Sequence, residues 1–278
     1  NVFVFVGIFF DGKIYQWSKL LNSVLAFAIF CLVSSAIYLK NDLADIEKDR
    51  QHPVKKNRPL ASGALSPKVA KIAAILILCI MLPAAIALDR VFGATVAVYA
   101  GVMALYSFVL KHYVIIDVMT VAAGFLLRVF AGAAVVHVTR FSPWLYVCTS
   151  LGALFIAINK RRHELVLLLG NATNHRASLQ DYNLSFLDNM TSVVMAAALA
   201  SYSFYTFSAP NVPQNHTMML TIPFSLYGIF RYHYLIHTKN LGGAPEDIVL
   251  GDRPLLLSLL LWALTAGLVI YFPILSQG

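Results

Sequence analysis

The stretch Leu20–Asp49, LLNSVLAFAIFCLVSSAIYLKNDLADIEKD, reads as one helix that leaves a membrane partway along its length. It is apolar as far as Tyr38 and then turns polar with no Gly or Pro to break it. Beyond Tyr38 come Asp42, Asp45 and Asp49, spaced i, i+3, i+7. At about 100° per residue they share an arc of roughly 60°, with Glu47 on the opposite side. Ser35 and Tyr38 lie on the Asp42 stripe and are expected to carry a polar wall inward. Three carboxylates on one face repel one another unless a cation sits among them. Hard oxygen donors without His or Cys suit Mg²⁺, which takes a few carboxylates together with phosphate oxygens and water.

The polar stretch continues to Gly63 as HPVKKNRPLASG, broken by Pro53, Pro59 and Gly63, and brings Lys55, Lys56 and Arg58 directly after the aspartates. An acidic stripe followed by a basic cluster is what a Mg²⁺-diphosphate requires. A merely solvated loop between two spans would not account for three aspartates on one stripe.

The rest of the chain is apolar. The hydrophobic fraction is 59% and the mean hydropathy +0.73, against the ~45–50% apolar content of soluble domains. Several runs approach the ~20 residues that span a bilayer, and none alternates with period two. The fold class is therefore all-α, a polytopic integral membrane protein forming a single domain over residues 1–278. Cys31, Cys79 and Cys148 fall inside apolar runs and read as packing residues rather than a disulfide or zinc framework. The net charge of +8 reflects membrane orientation, and a nucleic-acid partner is not expected.

Nine helices are expected. Val2–Phe10 is too short to span and reads as the end of an incomplete first helix. The others are Leu20–Asp49, Ser66 to Leu88, Val91–Leu110, Ile116–Val136, Ser142 to Leu169, Leu187–Phe207, Met218–His237 and Pro254–Ile274. Ser66-Pro67 and Ser142-Pro143 are expected N-cap pairs. Gly170–Asn183 and Asn240–Arg253 are expected as polar loops. Sixteen basic residues fall on the side of the aspartates and four (Lys13, Lys19, Arg90, Arg140) on the other, which places the aspartates in the cytoplasm.

Further chemistry clusters on that side. Tyr106, Lys111 and Asp117 border one connection, and Lys160-Arg161-Arg162-His163-Glu164 another, where Lys160 and Glu164 stand at pairing distance i, i+4. Arg231, Asp252 and Arg253 flank a third. Arg128 lies on a stripe with Asp117, Gly124 and Gly132, about 16 Å along the helix from Asp117. An arginine at that depth faces a cavity, a ligand or a neighbouring helix. The two glycines fit either room for a ligand or close helix packing.

Asn41–Asp49 resembles the first aspartate-rich motif, NDxxDxxxD, of the UbiA-type polyprenyltransferase superfamily. HPVKKNRPLASG, YSFVLK at Tyr106–Lys111, GFLLRVFAG at Gly124–Gly132, NKRRHEL at Asn159–Leu165 and APEDIVLGDR at Ala244–Arg253 are similar to its decaprenyl-phosphate phosphoribosyltransferase branch. The resemblance implies a nine-helix bundle around a central cavity, in the inner membrane of a prokaryote, with the active site facing the cytoplasm. Lys160, Arg161 and Arg162 stand where aromatic prenyltransferases carry a second aspartate motif. That replacement suits a substrate with an additional phosphate.

The reaction implied is transfer of 5-phosphoribose from phosphoribosyl diphosphate to a polyprenyl phosphate, with release of diphosphate. Asp42, Asp45 and Asp49, assisted by Asn41, then hold Mg²⁺; Lys55, Arg58 and Lys111 contact the diphosphate. Lys160 and Arg161 take the 5-phosphate, Arg128 the lipid phosphate, and Tyr106 a phosphate or ribose hydroxyl. The sequence leaves room for a homo-oligomer. Two other readings stand beside this one: prenyl transfer to an aromatic or other acceptor, and transport of phosphorylated metabolites, which lacks the broken helices and inverted repeat that transport would favour.

Overall fold

The computed structural model of the chain describes residues 1–51, 55–138, 142–167, 181–210, 212–239 and 245–275. Among these, every regular element is a helix. After a 3-10 turn at Val2–Phe5 come α1 (Val6–Phe10), α2 (Trp17–Gln51), α3 (Pro67–Leu88), α4 (Arg90–Phe108), α5 (Ile116–Val136), α6 (Pro143–Leu167), α7 (Leu184–Ser208), α8 (Ile222–Lys239), α9 (Pro245–Gly251) and α10 (Arg253–Leu275). Six of them, α2, α3, α4, α5, α7 and α10, are long and apolar enough to cross a membrane. The chain is a multi-pass membrane protein. The expected sixth and eighth spans are helices as well, α6 and α8, but both carry charged ends.

Most boundaries follow the sequence signals. Ser66 caps α3 by accepting from the Val69 amide at 3.3 Å, with Pro67 at the first helical position. Asp89 ends α3 and caps α4, accepting from the Phe92 amide at 2.8 Å. Asn183 does the same for α7 at the Phe186 amide, so that helix begins earlier than Leu187. Ser142 differs from expectation: its carbonyl accepts from the Leu145 amide, but its buried hydroxyl has no partner among the described residues. The Asn240–Arg253 segment is not simply a loop, since α9 occupies Pro245–Gly251. Pro at its first position and Glu246 and Asp247 in its first turn favour a helix there. The Gly170–Asn183 loop lies largely outside the described residues.

The chain forms two compact units. The first holds Asn1–Phe9 and Lys13–Val138, the second Phe10–Gly12 and most of the chain after Thr139. In the first unit α2 packs against α3, α4 and α5. Its core gathers Phe30, Val33, Phe92, Val96, Tyr99 and Val135, with Phe30 edge-on to Phe92 and Tyr99. Val69, Ile72, Ile75, Leu76, Ile80 and Ile86 of α3 remain more than half exposed, as suits a lipid-facing surface. With lipid as solvent, helix association rests on close packing. Gly132 illustrates this: a Cβ there would run into the Val4 carbonyl. Gly132 therefore serves packing. Gly132→Ala is expected to cost about 1–3 kcal/mol through overpacking, read as a lower unfolding temperature in detergent.

In the second unit α6 packs on α7, and α8 on α10. One core gathers Phe155, Tyr232, Leu235, Ile236, Ile248 and Leu255. Phe10 sets its ring against Tyr205 and Trp262.

Candidate active site

The polar end of α2 carries the three aspartates on one side, and two basic side chains come to meet them. Lys111 Nζ reaches both oxygens of Asp45, at 2.9 and 2.8 Å. Arg58 joins the other two, donating to Asp42 Oδ1 at 2.7 Å and Asp49 Oδ2 at 3.0 Å. Lys111 and Asp49 are buried. Charges so placed are costly unless paired. The cations that the aspartate stripe demands are thus supplied by the chain itself.

The loop after α2 explains how Arg58 arrives there. A 3-10 turn at Lys55–Asn57 lets the Arg58 amide bond to the Lys55 carbonyl at 2.9 Å, and the Arg58 carbonyl accepts from the Ser62 amide at 2.8 Å. Leu60 and Ala61 are buried beneath it. Gly63 turns the chain at φ +83°, a region that suits glycine. Outside, Arg50 ties the Ala61 carbonyl to Glu47, which faces away from the aspartates as expected.

Asn41 stands at the head of the stripe. Its Oδ1 is buried and has no hydrogen-bond partner among the described residues. Also among the described residues, no three His, Cys, Asp or Glu side chains converge closely enough to hold an ion. One terminal nitrogen of Arg58 bridges Asp42 and Asp49, while Lys111 holds Asp45.

Tyr106 lies half-buried near the end of α4, and Lys111 in a 3-10 turn at Leu110–His112. Between Lys111 and the buried Asp117 the backbone is strained. Ile115 has φ +69° and ψ −47°, and the Ile116 amide closes on the Val114 carbonyl at 2.8 Å. This γ-turn geometry is rare for a β-branched residue and is held only where the surroundings over-determine it.

Arg128 forms a second centre in the same unit. It is 8% exposed. Its Nε donates to Asn1 Oδ1 at 2.7 Å, one terminal nitrogen to the Gly124 carbonyl at 2.8 Å, and the other to the Tyr99 hydroxyl at 2.6 Å and, more loosely, to Ser34 Oγ at 3.5 Å. Ser34 also bonds Tyr99 at 3.1 Å and Asn1 at 3.2 Å. The guanidinium lies 4.6 Å from the Tyr99 ring centre. Every one of these partners is neutral. Ser34 lies eight residues before Asp42, about 12 Å deeper along α2. Asn1, Ser34 and Tyr99 were not evident as site residues, although Tyr99 is seven residues from Tyr106 and shares its helix face. Of the residues expected to form a polar wall, Ser35 bonds back to the Cys31 carbonyl and Tyr38 is 65% exposed.

The second unit holds the remaining basic candidates. Lys160 is exposed and Arg161 buried at the end of α6. Arg161 donates to Glu164 at 2.8 Å, at spacing i, i+3. Arg162 bonds Asp188 of α7 at 2.7 Å. Arg231 grips Asp252 with two hydrogen bonds, at 3.1 and 2.9 Å, and these hold the Asp252 carboxyl below the usual carboxylate range. Asp252 also caps α10 at the Leu255 amide.

The UbiA prenyltransferase family pattern matches residues 2–244. The decaprenyl-phosphate phosphoribosyltransferase of Mycolicibacterium smegmatis is 34% identical over 272 residues, covering 94% of this chain and 85% of the relative. That of Corynebacterium glutamicum is 32% identical over 270 residues, covering 93% and 78%. A solved UbiA homologue from Archaeoglobus fulgidus, bound to GPP and Mg²⁺, superposes with a TM-score of 0.73 at 17% identity over 96% of this chain and 94% of that one, a likeness of fold. Matched along most of its length by the family pattern and by relatives above 30% identity, the chain belongs to the UbiA prenyltransferase family.

Proposed function

We propose that the chain, acting as one catalytic domain, transfers 5-phosphoribose from phosphoribosyl diphosphate to a polyprenyl phosphate. The observation that carries this reading is the meeting of Asp42, Asp45 and Asp49 with Arg58 and Lys111, in a chain whose relatives named above are phosphoribosyltransferases. A phosphate oxygen of the lipid forms a bond to ribose C1 while the C1–O bond to diphosphate breaks, and diphosphate leaves with the electron pair. The nucleophile is already an anion, so no general base is needed. Positioning and electrostatics carry the catalysis.

The donor set fits Mg²⁺: three carboxylates on one helix face and, beside them, the buried amide oxygen of Asn41, which has no hydrogen-bond partner among the described residues. Asp42, Asp45, Asp49 and Asn41 would hold the ion. Bound to the diphosphate, it would neutralise the charge that develops on the leaving group. Arg58 and Lys111 then pass from carboxylate to phosphate oxygens, joined by Lys55, while Tyr106 donates to a phosphate or ribose oxygen. Arg offers phosphate a planar fork and Lys a point charge. Lys160 and Arg161 are assigned to the 5-phosphate, and Arg128 to the lipid phosphate, because its buried charge meets only neutral partners among the described residues. The site faces the cytoplasm of a prokaryotic inner membrane, on the side with the basic excess.

The test is a product assay. Purified protein in nanodiscs, with Mg²⁺, decaprenyl phosphate and phosphoribosyl diphosphate, is expected to yield lipid-linked phosphoribose and an equal amount of diphosphate by mass spectrometry. Prenylation of an aromatic acceptor without lipid-linked phosphoribose would replace this reading with the prenyltransferase one. Uptake of phosphoribosyl diphosphate into sealed vesicles without either product would favour transport.

A further inference from the structure

Asn159 lies on α6 immediately before Lys160 and Arg161 and is 1% exposed. Its Nδ2 donates to the Phe155 carbonyl at 2.7 Å, one turn back along the same helix. That bond sets the orientation of the amide, since the reverse would bring two acceptor oxygens together. Its Oδ1 is then buried with no hydrogen-bond partner among the described residues. A buried acceptor left unbonded is costly, and such an atom calls for a donor that arrives later. Lys160 and Arg161 are not placed to supply it, because residues i+1 and i+2 leave a helix on other faces, and a terminal nitrogen of Arg161 goes to Glu164.

The participants of the proposed reaction narrow what the donor is. Phosphate and diphosphate groups near neutral pH are chiefly acceptors. The polyprenyl chain has no polar hydrogen. The hydroxyls at C2 and C3 of the ribose are the neutral donors available. Resting on the proposed phosphoribosyl transfer, we infer that Asn159 reads the sugar of the donor, with its Oδ1 accepting a hydrogen bond from a ribose hydroxyl. Asn159 is then a specificity-determining residue, and its two basic neighbours serve the phosphate of the same molecule. A site built to accept from a hydroxyl rejects an analogue that lacks it, since the buried oxygen is again left alone.

The experiment compares phosphoribosyl diphosphate with its 2-deoxy and 3-deoxy analogues in the wild-type protein, Asn159→Leu and Asn159→Asp. Leu is close to Asn in shape but carries no acceptor, whereas Asp keeps one. The quantity read is the ratio of kcat/KM between donors on a single preparation, from which any inactive fraction cancels. The wild type is expected to prefer the ribose donor over at least one analogue by about tenfold or more. Asn159→Leu should lose about the same factor with the ribose donor, mainly through KM, and show a ratio near one. Asn159→Asp should keep a preference. A wild type that uses all three donors equally overturns the assignment of Asn159 while leaving the reaction standing. So does an Asn159→Leu protein with the wild-type preference against both analogues. Should Asn159→Leu prove inactive, Asn159→Asp decides: a preference retained supports the assignment and a preference lost overturns it. A wild type that transfers nothing from phosphoribosyl diphosphate sinks the reaction itself.

Discussion

Asp45→Ala is expected to lower phosphoribosyl transfer by about a hundredfold or more, since even groups that merely support a metal site are worth roughly 10–100-fold. The structure adds a complication, because Asp45 is also the partner of the buried Lys111. Removing one member of a buried ion pair destabilises by about 3–5 kcal/mol. Loss of activity in the single variant therefore mixes chemistry with folding. Asp45→Asn combined with Lys111→Met separates them, because neither charge remains and the packing volume is kept. The double variant should regain most of the lost thermal stability yet remain inactive. Full activity in the double variant would make Asp45 a structural partner of Lys111 and nothing more. Undiminished turnover of the wild type in excess EDTA would remove the metal from the proposal altogether.

The long reach of α2 was legible because nothing in Leu20–Asp49 breaks a helix, and the polar change at Tyr38 marks its exit from lipid. Ile116–Val136 was legible for the same reason, and its observed ends coincide with the expected ones. What escaped were features whose signal is short. The seven-residue α9 has Pro245, Glu246 and Asp247 at its start, but the neighbouring glycines made the segment read as a loop. Asn183, three residues ahead of Phe186, is an ordinary N-cap signal, but its place at the end of a polar loop masks it.

For the candidate site, composition identified the participants but not their pairing. The aspartates could be placed on one helix face from their spacing. That Lys111 would serve Asp45, 66 residues away, and Arg58 would bridge Asp42 and Asp49, depends on tertiary geometry that spacing does not encode. Asn159 does not stand out inside NKRRHEL because charged neighbours dominate such a motif. The informative fact is a local bond to Phe155 that leaves one atom without a partner.

Arg128→Leu is expected to reduce transfer to polyprenyl phosphate by about a hundredfold or more while binding of the water-soluble donor stays near the wild-type level. A charge-assisted hydrogen bond to phosphate is worth about 1.5–3 kcal/mol, and a guanidinium can make two. The structure also predicts that the variant folds. Ser34, Tyr99 and Asn1 are bonded to one another as well as to the arginine, so most of their polar atoms keep a partner. The charge that is lost is itself expensive at this depth, so thermal stability should change little. Arg128→Lys should recover only part of the transfer, since an ammonium cannot reproduce the planar fork. Tyr99→Phe, which removes the hydroxyl that orients one arm of the guanidinium, should produce a smaller loss confined to the lipid substrate. Calorimetry with phosphoribosyl diphosphate and lipid-dependent turnover on the same preparations decide the matter. Collapse of donor binding in Arg128→Leu would move the arginine to the phosphoribosyl diphosphate site. Turnover that falls only in step with thermal stability would make it a structural arginine, satisfied by its neutral neighbours.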